Sequence, residues 1–104
     1  MTKLNNPKVS IAICTFNGEK FIAEQLESVL KQSYQNIEII IVDDCSSDET
    51  SKICESYHDE RIKLFKNKEN IGYTKNFERA ISICNGDYIC LCDQDDIWFE
   101  NKIE

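Results

Sequence analysis

Four short runs of branched apolar residues, at 9–14, 38–42, 62–65 and 88–92, alternate with three stretches whose apolar residues recur at helical spacing. A strand repeats its facing every second residue and a helix every 3.6, so the alternation leaves little besides the order βαβαβαβ. The second run, EIIIV, is almost continuously apolar, which suits a strand buried on both faces of a parallel sheet. Ile22, Leu26, Val29 and Leu30 predict a helix over about 19–32. Ser46-Ser47-Asp48-Glu49 has the spacing of a capping box and opens a second helix, with Ile53, Cys54 and Tyr57 on its inner face. Phe77, Ala80, Ile81 and Cys84 place a third helix, stopped by Asn85-Gly86. Right-handed crossovers join such units into a doubly wound α/β fold, a mainly parallel, Rossmann-like sheet with helices on both faces and strand order 3-2-1-4.

At 104 residues, 41% of them hydrophobic, the chain holds material for one compact domain, so 1–104 is read as a single unit. A net charge of -7 argues against nucleic acid or an anionic membrane surface as partner, because both select for basic patches. It leaves open a phosphorylated ligand held through a metal ion. No stretch approaches the roughly 18 apolar residues of a transmembrane helix, and 1–8 lacks the core of a signal peptide. The expected location is therefore cytoplasmic, with membrane association of a full-length protein left open. Cys14, Cys84, Cys90 and Cys92 lie inside apolar runs and read as core residues. Neither Cys90-x-Cys92 nor the lone His58 offers the spacing of a zinc site.

In this topology ligands bind beyond the carboxyl ends of the strands. Asp43, Asp44, Asp93, Asp95 and Asp96 all follow apolar strands at that edge. Crowded carboxylates raise one another's pKa, so the cluster lowers stability unless a cation or protein donors compensate. Mg2+ or Mn2+ is the simplest cation, since both take oxygen ligands and leave positions for substrate phosphate. The alternative for any one of these residues is a turn or a helix cap, although one cap cannot use Asp95 and Asp96 together.

The segments VSIAICTFNGEKFIAEQLESVLKQSYQNIEIIIVDDCSSDET, NKENIGYTKNFERAI and GDYICLCDQDDIW, within 9–98, resemble the amino-terminal, nucleotide-sugar-binding half of family 2 glycosyltransferases with the GT-A fold. The resemblance implies an inverting transferase that binds a nucleotide-diphosphate sugar with Mg2+ or Mn2+. It implies that base and ribose lie against Cys14, Thr15, Phe16 and Asp44. Phe16 stands where the family often has Tyr, and is either a stacking contact or a core aromatic. The acid run matches the family's Asp-x-Asp motif as Asp93-Gln94-Asp95 or through Asp95-Asp96. The metal ligand is thus ambiguous by one residue among Asp96, Asp95 and Asp93: the resemblance favours Asp96 as the direct ligand, with Asp95 towards the ribose and Asp93 as a ligand or a support. Lys75 stands where a basic residue often meets the diphosphate, or is a solvated lysine at a helix start. Gly72 either lets backbone approach the ligand or makes a turn. Trp98 and Phe99 either border the sugar or pack against the rest of a larger enzyme, and packing is the reading favoured. The string DQDDIW is similar to those of bacterial enzymes of cell-surface polysaccharide biosynthesis, including some rhamnosyl transferases.

Such enzymes need a base for the acceptor hydroxyl, which the family supplies after the acid run, so it is expected beyond Glu104 and no catalytic base is assigned within the chain. The chain thus reads as part of a longer transferase, binding the donor but transferring little or no sugar alone. The saccharide or lipid-linked acceptor would belong to the full-length enzyme. Strand 88–92 is expected to present an unpaired apolar edge through which the chain self-associates. Two rivals come from other classes. A receiver-like phosphoacceptor domain has its acids after different strands, and a non-catalytic interaction module would use the acids only as caps.

Overall fold

The computed structural model describes residues 7–93. Seven elements follow in order: β1 (Val9–Thr15), α1 (Ile22–Leu30), β2 (Ile37–Asp43), α2 (Thr50–Glu55), β3 (Ile62–Lys66), α3 (Tyr73–Ile83) and β4 (Tyr88–Asp93). The four strands form one parallel sheet in the order β3-β2-β1-β4, as the sequence pattern predicts. Among the described residues no helix is long and apolar enough to cross a membrane.

The period-two alternation of β1 and β2 divides their side chains between two cores. Val9, Ile11 and Ile13 of β1 join Ile37, Ile39 and Ile41 of β2 beneath α1 and α2, against Ile22, Leu26, Val29 and Cys54. Ala12, Cys14, Ile40 and Val42 face the other way, against Phe77 and Ala80 of α3. All residues of both central strands are buried. Each fully buried isoleucine contributes roughly 1.5–3 kcal/mol relative to exposure, so these two strands dominate cohesion.

The helices depart from the sequence expectation at their ends. Helix α1 starts at Ile22 rather than near residue 19. The Gly18 and Glu19 N–H groups are drawn away to Thr50 Oγ1 and Asp48 Oδ2, at 2.8 and 3.3 Å, which keeps those residues in a turn. The capping box at 46–49 does not form. Ser46 Oγ donates to Asp43 Oδ1 at 2.6 Å, and the helix begins at Thr50, whose N–H meets Asp48 Oδ1 at 2.9 Å in an Asx turn. In α3 the inner stripe is Asn76, Phe77 and Ala80, while Ile81 is 40% exposed. Asn76 Nδ2 donates to the Val42 carbonyl at 3.0 Å and so fixes a rotation that carries Ile81 to the rim. Helix α3 does end before Asn85-Gly86, but by close approach: a Cβ on Gly86 would lie 2.7 Å from Ser10 N and 2.9 Å from Lys8 O.

Candidate functional site

The carboxyl edge of the sheet is built on two adjacent acids. Asp43 ends β2, is 2% exposed, and accepts from the Thr15 hydroxyl at 2.6 Å, the Ser46 N–H at 2.9 Å and the Ser46 hydroxyl at 2.6 Å. It therefore ties the end of β1 to the β2–α2 loop. The same two loops are joined further out. The Asn17 N–H meets Ser46 Oγ at 2.9 Å, and the Ser47 N–H meets Asn17 Oδ1 at 2.9 Å. Asn17 and Cys45 adopt positive φ, 50° and 62°, a conformation non-glycine residues rarely hold unless surrounding bonds enforce it.

Asp44, 3% exposed, fastens the next loop. Its N–H meets the Thr15 carbonyl at 2.8 Å. Its Oδ1 accepts from Asn67 Nδ2 at 2.9 Å and the Ile71 N–H at 2.8 Å, and its Oδ2 accepts from the Gly72 N–H at 2.9 Å. Gly72 holds φ 90°, which requires glycine, immediately before α3. Asn67 Nδ2 also donates to Asn76 Oδ1 at 2.7 Å, and Arg79 donates to Asn67 Oδ1. A buried amide chain thus runs from α3 to Asp44. The sequence pattern predicts the loop 67–72 at this edge, but the roles of the Asn67, Asn76 and Arg79 side chains escaped the sequence reading. The available signal was an asparagine beside Phe77 on an otherwise apolar helix stripe.

Crowding of Asp43 and Asp44 is thus met by N–H and O–H donors from three loops. Asp48 belongs to the same scheme: burial would raise its carboxyl, but the Thr50 hydroxyl and N–H and the Glu19 N–H outweigh it and hold it below the ordinary value. Behind the edge, burial pushes the Cys54 thiol up to about 12, helped by the charges of Asp43 and Glu55, so it stays protonated and unreactive.

The other candidate residues are placed as follows. Cys14 and Thr15 are buried at the end of β1, and the Thr15 hydroxyl is committed to Asp43. Phe16, immediately beyond, is 46% exposed. Lys75 is exposed in the first turn of α3. Asp93 is the last residue of β4 and stands in register with Cys14, itself in register with Val42. Asp95, Asp96, Trp98 and Phe99 lie outside the described residues. Among those described, no three His, Cys, Asp or Glu side chains are grouped to hold a metal. The edge therefore gathers Cys14, Thr15, Asp43, Asp44 and the backbone of Asp93, with Asp43 and Asp44 engaged as loop anchors.

Residues 10–104 match the family described as Glycosyl transferase family 2. Glycosyltransferase GlyG of Streptococcus pneumoniae serotype 4 is 39% identical over 98 residues, covering 92% of this chain and 33% of its own length. The dTDP-rhamnosyl transferase RfbG of Shigella flexneri is 41% identical over 99 residues, covering 88% of this chain and 34% of its own. Among solved structures, S. aureus TarS 1–349 in complex with UDP matches with a TM-score of 0.87 at 32% identity, over 92% of this chain and 30% of that one. The chain spans about a third of the length of these curated relatives.

Proposed function

The chain belongs to glycosyl transferase family 2, and we propose that it supplies the donor-binding part of an inverting transferase that draws sugar from a nucleotide-diphosphate donor with Mg2+ or Mn2+. The observation that carries this reading is the hydrogen-bonded carboxyl edge, where Asp43 and Asp44 fix three loops around the ends of β1 and β2. A ligand there meets a surface already ordered, so binding loses little conformational entropy. The UDP of the TarS complex supports a nucleoside diphosphate as the ligand class.

In this reading base and ribose contact Cys14, Thr15 and Phe16, with Asp44 and Asp95 beside them, and Lys75 serves the diphosphate. Asp44 acts by holding Ile71 and Gly72 as well as by facing the nucleotide. Asp96, Asp95 and Asp93 hold the metal, because a run of carboxylates suits a hard dication, whereas Asp43 and Asp44 are already engaged by protein donors. When bound, the dication offsets the negative charge that builds on the departing diphosphate oxygen. The acceptor, a saccharide or a lipid-linked sugar, and the base that deprotonates it are assigned to no residue here. The setting is cytoplasmic assembly of a bacterial surface polysaccharide.

Calorimetry with UDP, dTDP and GDP, each with and without Mn2+, tests the reading. Metal-dependent binding of at least one nucleotide is expected, weakened about tenfold or more by Asp95→Ala and by Asp96→Ala. Equal affinity in all three proteins, or no binding by the wild type at millimolar nucleotide, rules it out.

A further inference from the structure

Helix α1 packs on the sheet through Ile22, Leu26 and Val29, yet the same stripe carries Gln25 at 0% exposure. Its Nε2 donates to Cys92 Sγ at 3.1 Å, and its Oε1 has no hydrogen-bond partner among the described residues. Energetically this is a poor use of a core position. A buried amide oxygen without a donor keeps its desolvation cost, and a thiol sulfur is a weak acceptor that returns little for the N–H. Leucine or methionine would fill a similar volume without either cost. The amide therefore contributes direction rather than cohesion.

What it directs is the upper end of β4. Cys92 is buried, stands in register with Ile13 on the α1 face, and immediately precedes Asp93. Among the described residues strand β4 pairs with β1 on one side only. On its opposite face Ile89 and Leu91 are 42% and 54% exposed, so α3 does not clamp it there. The end of β4 is thus held by the β1 ladder and by the packing of Cys92 in the core beneath α1, to which the Gln25 amide adds a directional contact. We infer that Gln25 is a positioning residue: its contact with Cys92 sets where the backbone of β4 stands at Asp93, its last residue. This inference rests on the donor-site reading for what Asp93 does, but not for how β4 is held.

Gln25→Met and Gln25→Leu remove the amide at similar volume, and Cys92→Ser tests the partner by replacing the sulfur with a stronger, shorter acceptor. Three readouts apply: thermal midpoint, amide hydrogen exchange by residue, and Mn2+-dependent UDP affinity. In both Gln25 variants the midpoint should hold or rise, the Cys92 and Asp93 amides should exchange faster while those of Ile11 and Ile39 do not, and UDP with Mn2+ should bind about tenfold more weakly. Cys92→Ser should keep exchange at Asp93 closer to wild type than either Gln25 variant does. Wild-type exchange at Cys92 and Asp93 in both Gln25 variants overturns the inference. So does a fall in midpoint with faster exchange across the whole sheet, which marks an ordinary core residue. If the exchange effect appears but wild type binds no UDP with Mn2+, the positioning of β4 stands and the donor-site reading fails.

Discussion

At the scale of single residues, Asp44 does more than a candidate ligand contact requires. Its carboxylate accepts from Asn67, Ile71 and Gly72, so Asp44→Ala strands two backbone N–H groups and a buried side-chain amide together. Hydrogen bonds to a charged acceptor contribute about 1.5–3 kcal/mol each and are not additive, so a loss of roughly 2–4 kcal/mol is expected. Urea unfolding measures the loss, and faster hydrogen exchange at Ile71 and Gly72 localises it. Unchanged stability with unchanged exchange would show that the loop stands without Asp44. The sequence made the acids visible as candidates because strands and turns bracket them. It could not show that Asp43 and Asp44 are engaged by donors, since those donors come from residues up to 28 positions away.

At the scale of elements, type and order were legible while helix boundaries were not. Periodicity reports which face is buried, and β2 is buried throughout because both faces carry helices. The start of α2 depends instead on a choice between two uses of Ser46, which Asp43 wins. The return from α3 to β4 was also hidden, because it hangs on Glu38 at the opposite end of the sheet. Burial alone would raise that carboxyl, but the Ser10 hydroxyl at 2.5 Å, the Asn85 N–H at 2.6 Å, and Lys8 and Lys63 at 3.7 and 3.6 Å together hold it below its ordinary 4.5. A carboxyl lowered in the folded state stabilises fully above its unfolded value and loses that contribution as pH falls through the folded value. Glu38→Gln should therefore cost roughly 1–3 kcal/mol at neutral pH. The difference from wild type should stay constant down to the ordinary value of 4.5 and shrink below it. Urea titrations of both proteins across that range check it, and a difference independent of pH would assign the cost to packing.

At the scale of the whole molecule, the two edges of the sheet have opposite chemistry. Strand β3 exposes Lys63 and Lys66, charges that deter pairing with another strand. Strand β4 exposes Tyr88, Ile89 and Leu91 and carries no charge from Tyr88 to Cys92. Among the described residues no strand pairs with the outer side of β4, and such an apolar edge is a template for a second copy of itself, its exposed face adding apolar area to the contact. Concentration-dependent self-association of the 104-residue chain is therefore expected, measured by light scattering and sedimentation across a wide concentration range. Leu91→Lys removes apolar area and places like charges together across the contact. Losing one buried leucine forfeits roughly 1.5–3 kcal/mol, so association should weaken by about tenfold or more. Lys63→Leu, on the opposite edge, serves as the control: if β4 is the contact, it leaves β4 pairing unchanged, whereas symmetrical loss and gain at the two edges would mean nonspecific apolar contact. A strict monomer at the highest concentration would show that the apolar face of β4 alone does not overcome the entropy of bringing two copies together.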